Sequence, residues 1–250
     1  MNKELFSLFY GTAGIGKTTL CGTIVDCPEL MPCLMVDFEK GVNDSIGSKC
    51  NFVTKFGSEP IEGKIDVVTL TAWKQFDVIY QALRDGKTPY KTIIIDSLSD
   101  AGTLNMYGQS GAVAASEKSF TSVRGFQIQE YGKVGIDLDI LVRQLRAIEG
   151  LNIICTAGEV LSDNPINGAS KIAPDFPGKK ITVSLPRLFS MVGYLRLHED
   201  TEGVIRRVCS FKTADAYEAK VRDEFGHFPE HMLEPTIGKI YTLLNKGENN

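Results

Sequence analysis

No apolar run in the chain approaches the roughly 20 residues that a helix needs to cross a bilayer, and no two cysteines are spaced C-x-x-C. The six cysteines (Cys21, Cys27, Cys33, Cys50, Cys155 and Cys209) are scattered, most of them within or beside apolar stretches. That placement argues for buried reduced thiols and against a zinc site or a disulfide framework. The three histidines, His198, His227 and His231, have no ligand spacing with cysteines or carboxylates, so no histidine-based metal site is expected. An excess of positive charge is also missing: 27 Lys and Arg stand against 31 Asp and Glu, for a net charge of −4. This excludes a surface coated in positive charge but leaves room for a local basic patch. The opening Met1-Asn2-Lys3-Glu4 runs straight into an apolar strand without a secretory h-region. The expectation is a cytoplasmic protein with no membrane partner. Neither internal repeats nor low-complexity linkers interrupt the 250 residues, which suit one α/β domain over 1–250.

What is present is an alternation of strands and helices. Leu5 to Tyr10 is a short apolar strand ending at a glycine-rich loop, after which Leu20, Ile24 and Val25 recur at helical spacing. Cys33 to Phe38 and Ile65 to Leu70 read as strands. Trp73, Phe76, Ile79, Tyr80 and Leu83 mark one face of an amphipathic helix, with Trp73 in the core. Thr92 to Ile95 is a β-branched run of the kind covered on both faces. Val134, Leu138, Leu141, Leu145 and Ile148 trace a further helix before a strand at Asn152 to Thr156. The pattern predicts a mostly parallel, doubly wound sheet. In the last third, 158–180 reads as a long loop, 191–197 and 203–211 as a β-hairpin, and about 235–245 as a final helix.

The loop Gly11-Thr12-Ala13-Gly14-Ile15-Gly16-Lys17-Thr18 satisfies G-x-x-x-x-G-K-[ST] in full, with a strand before it and a helix after. Its glycines let successive N–H groups turn inward on phosphate oxygens. ATP and Mg²⁺ are therefore the expected cofactors. Gly11 to Thr18 and Thr19 would bind the nucleotide, with Lys17 on the β- and γ-phosphates and the Thr18 hydroxyl on the metal. Thr92-Ile93-Ile94-Ile95-Asp96-Ser97 is an apolar strand ending in a carboxylate. In an open parallel sheet that end faces the same crevice as the loop, so Asp96 is the second metal contact. Asp37 and Glu39 close the neighbouring strand Leu34 to Phe38. Glu39 is the candidate general base for water, with Asp37 in support. A kinase, whose substrate is the acceptor, would not need such a base.

These three segments, the loop, Val36-Asp37-Phe38-Glu39 and Ile93-Ile94-Ile95-Asp96-Ser97, resemble the RecA superfamily of ATPases. Glu39 falls where that family's catalytic glutamate follows its second strand. Over about residues 5 to 225 the chain is similar to the compact phage-encoded RecA-like ATPases of single-strand annealing and recombination. The resemblance implies a RecA-like core extended by the C-terminal β-hairpin, and a host-cytoplasmic location. It also implies a ring or filament of identical subunits acting on single-stranded DNA, with a single-strand-binding protein as a possible partner. Ala219-Lys220-Val221-Arg222-Asp223-Glu224-Phe225-Gly226 is similar to the K-x-R-F-G segment of RadA-type relatives, although two residues, Asp223 and Glu224, here precede the phenylalanine. By that resemblance Lys220 and Arg222 are candidates for reaching a neighbouring subunit's γ-phosphate. The strand at Asn152 ends in Thr156-Ala157-Gly158, where relatives carry an amide or a histidine; Thr156, or failing it Glu159, would sense the γ-phosphate.

Two stretches suit nucleic acid. Residues 101–133, rich in Gly and Ser, interleave Tyr107, Lys118, Phe120, Arg124 and Phe126, and 158–187 carries Lys171, Lys179, Lys180 and Arg187. Aromatic and basic side chains on loops can stack on bases while neutralising the backbone. Two rival functions remain: a P-loop small-molecule or nucleotide kinase, and a nucleotide-switched partner-binding module with little turnover.

Overall fold

A computed structural model describes residues 3–53, 59–110, 127–163, 168, 170–199, 203–224 and 226–246. Its centre is a sheet in which β3 (Cys50–Phe52), β4 (Ile65–Thr69), β2 (Cys33–Asp37), β5 (Thr92–Asp96), β6 (Asn152–Ala157), β1 (Phe6–Tyr10) and β9 (Met191–Glu199) lie side by side and parallel. β10 (Ile205–Ser210) folds back antiparallel on β9, and β12 (His231–Leu233) pairs antiparallel with β10. β11 (Lys220–Val221) pairs antiparallel with the start of β9. This is a mostly parallel, doubly wound α/β sheet, and the antiparallel hairpin β9–β10 extends it toward the C-terminus.

The strands are buried on both faces, as their continuous apolar runs require. Alternate residues feed two cores. Leu8, Tyr10, Ile93 and Ile95 face α3 (Phe76–Arg84), α4 (Leu98–Ser110) and α5 (Ile128–Arg146). Phe9 and Ile94 face α1 (Lys17–Gly22), α2 (Val42–Ile46) and α7 (Ile237–Leu244), while α6 (Lys179–Ser184) joins the first core through Ile181. Phe189, fully buried, stacks on Phe6 at 4.8 Å between ring centroids and closes the lower end of the first core.

Three expectations are corrected. Residues 158–180 are not one loop: β7 (Glu159–Asp163) and β8 (Ser170–Pro174) form a separate antiparallel pair, and α6 follows. These strands are largely half-exposed and lack a clean alternation, so nothing in their pattern announces them. Much of the stretch expected as a loop at 101–133 is helical, with Tyr107 on α4 and Tyr131 on α5; Lys118, Phe120, Arg124 and Phe126 lie outside the described residues. Trp73 is only half-buried, in a 3-10 turn before α3, where it stacks on Phe76 at 6.5 Å.

Candidate functional site

The sheet order decides where the site lies. β6 is inserted between β1 and β5, and β2 flanks β5 on the other side, so the ends of β1, β5 and β2 open on one edge. The glycine-rich loop leaves β1 there, and Asp37 is level with Asp96 in the register of β2 against β5. A cleft of about 550 Å³ lies between them, lined by Gly14, Lys17, Thr18, Glu39, Asp96, Asp100 and Asp175 among others. A cleft of that size lies within the usual range for small-ligand sites.

The loop is built as phosphate cradles are. Gly11 follows β1 so tightly that a Cβ there would come within 2.5 Å of the Leu195 carbonyl oxygen on β9. Gly16, immediately before α1, has φ of 97°, a left-handed value that favours glycine. Lys17 extends back along its own loop, and its ammonium donates to the Gly11 and Thr12 carbonyls, both at 2.9 Å. Burial lowers its pKa, opposed by the negative charges of Glu39 and Asp96.

Thr18 opens α1 toward β5, and its hydroxyl donates to Asp96 Oδ2 at 2.7 Å. The other oxygen of Asp96 accepts from the Thr156 hydroxyl on β6. Asp96 is almost wholly buried; burial raises its pKa while the two hydroxyl bonds favour the carboxylate. Thr156 is thus engaged with the β5 carboxylate. Glu159, beyond β6, contributes negative potential at Lys17.

Glu39 lines the cleft but does not lie on the strand. β2 ends at Asp37, whose Oδ1 accepts from the backbone N–H groups of Glu39 (3.1 Å) and Lys40 (2.8 Å). Lys40 has φ of 63°. Asp37 therefore shapes the turn that presents Glu39, in the manner of an Asx-turn. The Glu39 carboxyl is pushed up to about 7, first by its hydrogen bond with the Asp100 carboxyl, then by burial and the charges of Asp100 and Asp96. Ser97 donates to Asp100 Oδ2.

Asp100 escaped the sequence reading. The signal was there, because Ser97-Leu98-Ser99-Asp100 puts an acid one helical turn past the strand-end Asp96. Asp175, also in the cleft and raised by burial and by Asp100, gave no comparable sign from its Pro-rich surroundings. Arg207 on β10 was missed as well; its guanidinium packs on the loop at Ile15 and Gly16.

Lys220 and Arg222 do not join this cleft. The Arg222 N–H donates to the Ser190 carbonyl, and the Ser190 N–H donates to Phe6, at the start of β1. The loop leaves the far end of that strand, so roughly 15 Å of extended chain separates the two places. Lys220 Nζ donates to the Arg187 carbonyl at 3.0 Å. Burial, followed by the charges of Arg222, Arg146 and Arg187, lowers its pKa to about 8. Phe225 lies outside the described residues.

Residues suited to the two expected cofactors are present. A hydroxyl and a carboxylate at 2.7 Å are hard oxygen donors of the kind Mg²⁺ takes. A lysine at the head of a short helix, behind a loop with left-handed glycines, suits a polyphosphate. No helix among the described residues is long and apolar enough to cross a membrane.

Comparison with known proteins supplies a family. Residues 3–222 match a family described as an AAA domain, AAA_24. Among solved structures the chain is similar to a KaiC-like protein from the hyperthermophilic archaeon Pyrococcus horikoshii OT3, at 16% identity and a TM-score of 0.48, over 93% of this chain and 86% of that one. No curated protein matches significantly.

Proposed function

Because the chain belongs to the AAA domain family, and is a P-loop ATPase by fold, we propose that it is a Mg²⁺-dependent ATP hydrolase of RecA type, one domain throughout, acting on single-stranded DNA in recombination or annealing. The observation that carries the hydrolase reading is the convergence of the loop, the Thr18–Asp96 pair and a Glu39 carboxyl held near neutral pH in one cleft. When bound, ATP would supply the phosphoryl group and Mg²⁺ the charge to offset it. Lys17 would exchange the Gly11 and Thr12 carbonyls for phosphate oxygens, and Thr18 and Asp96 would hold the ion. Glu39 accepts a proton from water, and its pKa near the working pH suits that task.

Lys220 and Arg222 lie too far from the loop of their own subunit to touch its phosphates, so their proposed role is in trans, in a ring or filament. Support for DNA comes from the second groove, about 610 Å³, lined by Tyr131, Lys179 and Lys180 beside the exposed Ile136. Aromatic and cationic groups together suit a single strand. The resemblance to compact phage annealing ATPases, with a single-strand-binding protein as partner, points the same way.

The test is ATP turnover by the purified protein with and without single-stranded DNA, at low and moderate salt. Stimulation that weakens as salt rises is expected. Nucleotide binding with no turnover, or phosphoryl transfer to a small acceptor, would turn the assignment to the switch or the kinase.

A further inference from the structure

Arg207 lies on β10, opposite Leu197 of β9, in the antiparallel extension rather than in the parallel core. It does not line the cleft, yet its Nε donates to the Ile15 carbonyl at 2.8 Å. Its guanidinium also lies flat against Gly16, where an added Cβ would meet Nη2 at 2.5 Å and Cζ at 2.6 Å. The arginine is itself held from behind. Its backbone N–H donates to Glu234 Oε1 at 3.0 Å, and its carbonyl accepts from the Glu234 N–H at 2.8 Å. Lys239 of α7 then donates to the Glu234 carbonyl at 2.9 Å. A chain of contacts therefore runs from the C-terminal helix through the hairpin to the loop.

The geometry of the peptide unit turns this contact into an effect on the ligand. The Ile15–Gly16 peptide is trans, and in a planar trans peptide the C=O and N–H point in opposite directions. Drawing the Ile15 oxygen outward, onto a cation, aims the Gly16 N–H the other way, into the hollow of the loop where phosphate oxygens bind. Left alone, a loop with left-handed values at Gly14 and Gly16 has freedom to rotate this peptide.

We propose that Arg207 is a positioning residue for nucleotide binding: it fixes the Ile15–Gly16 peptide with its N–H presented to phosphate, and thereby ties the state of the C-terminal hairpin to the grip of the loop. This rests on the nucleotide-binding reading, and its first readout is binding rather than turnover. A charge-assisted hydrogen bond that pre-orients one phosphate donor is worth on the order of tenfold in affinity.

The experiment titrates ADP and a non-hydrolysable ATP analogue into the full chain and into R207A, R207M and R207K. The melting temperature without nucleotide is measured beside each titration. R207M keeps the apolar bulk without a donor, and R207K restores a cationic donor. R207A and R207M are expected to weaken both ligands about tenfold, with R207K recovering most of the loss. Their melting temperatures without nucleotide should stay near that of the parent, and kcat should stay within about twofold at saturation. If R207A does not fold, R207M carries the comparison. Parent-like affinity in R207M, equal loss in all three variants, or a fall in kcat at unchanged affinity would each overturn the proposal. Failure of the parent itself to bind either nucleotide would overturn the nucleotide-binding reading first, and the two failures are told apart by that titration alone.

Discussion

Replacing Asp100 by Asn tests the origin of the Glu39 pKa directly. The Glu39 carboxyl is held at about 7 against an ordinary 4.5, and the largest causes are its hydrogen bond with Asp100 and, after burial, that residue's charge. An asparagine there removes the like charge and offers N–H groups that favour an ionised neighbour, while its carbonyl can still accept from Ser97. Burial and the Asp96 charge remain, so the pKa should fall by about one unit rather than return to 4.5. With a pKa near 7, roughly a tenth of Glu39 is ionised at about pH 6; with a pKa near 6, about half is. Because a general base must be ionised to act, kcat/KM in the variant should be about fivefold higher than in the parent at that pH and nearly equal above about pH 8. The assay is steady-state ATP hydrolysis across pH, read as kcat/KM because that ratio reports groups of the free enzyme. An acidic limb that stays in place in D100N would refute the coupling of these two carboxyls.

Glu39→Gln should lower turnover by about 10²–10⁴ while leaving ATP affinity intact. It should also melt at a higher temperature than the parent, by a margin that grows as pH rises from about 4.5 through about 7. The sign follows from a folded pKa raised above the unfolded one, which makes the folded state bind more protons across that window and lose stability with pH. For Lys220, replacement by Ala should cost on the order of 10³ in turnover if it acts on a neighbour's phosphates. Mixing K220A with K17A should restore part of the activity, because an intact loop then meets an intact Lys220 across a subunit boundary. No recovery on mixing would argue against action in trans.

Local chemistry was legible in the sequence where it is carried by contiguous residues. Lys17, Thr18 and the apolar run into Asp96 stand out because the loop needs glycines at fixed steps and the strand is buried on both faces. Glu39 was legible as a residue but not as a conformation: Asp37 ends the strand and turns the chain, so Glu39 reaches the cleft from a bend, and no period-2 argument could have placed it. The β7–β8 pair left no pattern because its strands are largely half-exposed.

Arg207 was hidden for another reason. Arg206-Arg207 in a strand looks like an ordinary solvated face. Only the register that places Arg207 opposite Leu197, with β9 beside β1, brings it to Ile15 from 192 residues away. The same distinction separates what Lys220 and Arg222 can do from what their motif suggests. Lys220 opens a strand paired with the start of β9, where burial first, and then the charges of Arg222, Arg146 and Arg187, lower its pKa. A half-buried cation beside other cations gains from an anion brought to it. The loop of its own subunit, at the opposite end of β1, is too distant to bring one. The motif therefore identifies which side chains carry charge, and the sheet keeps them from the loop of their own subunit, so under the proposed function a neighbour's phosphate is the one left for them to meet.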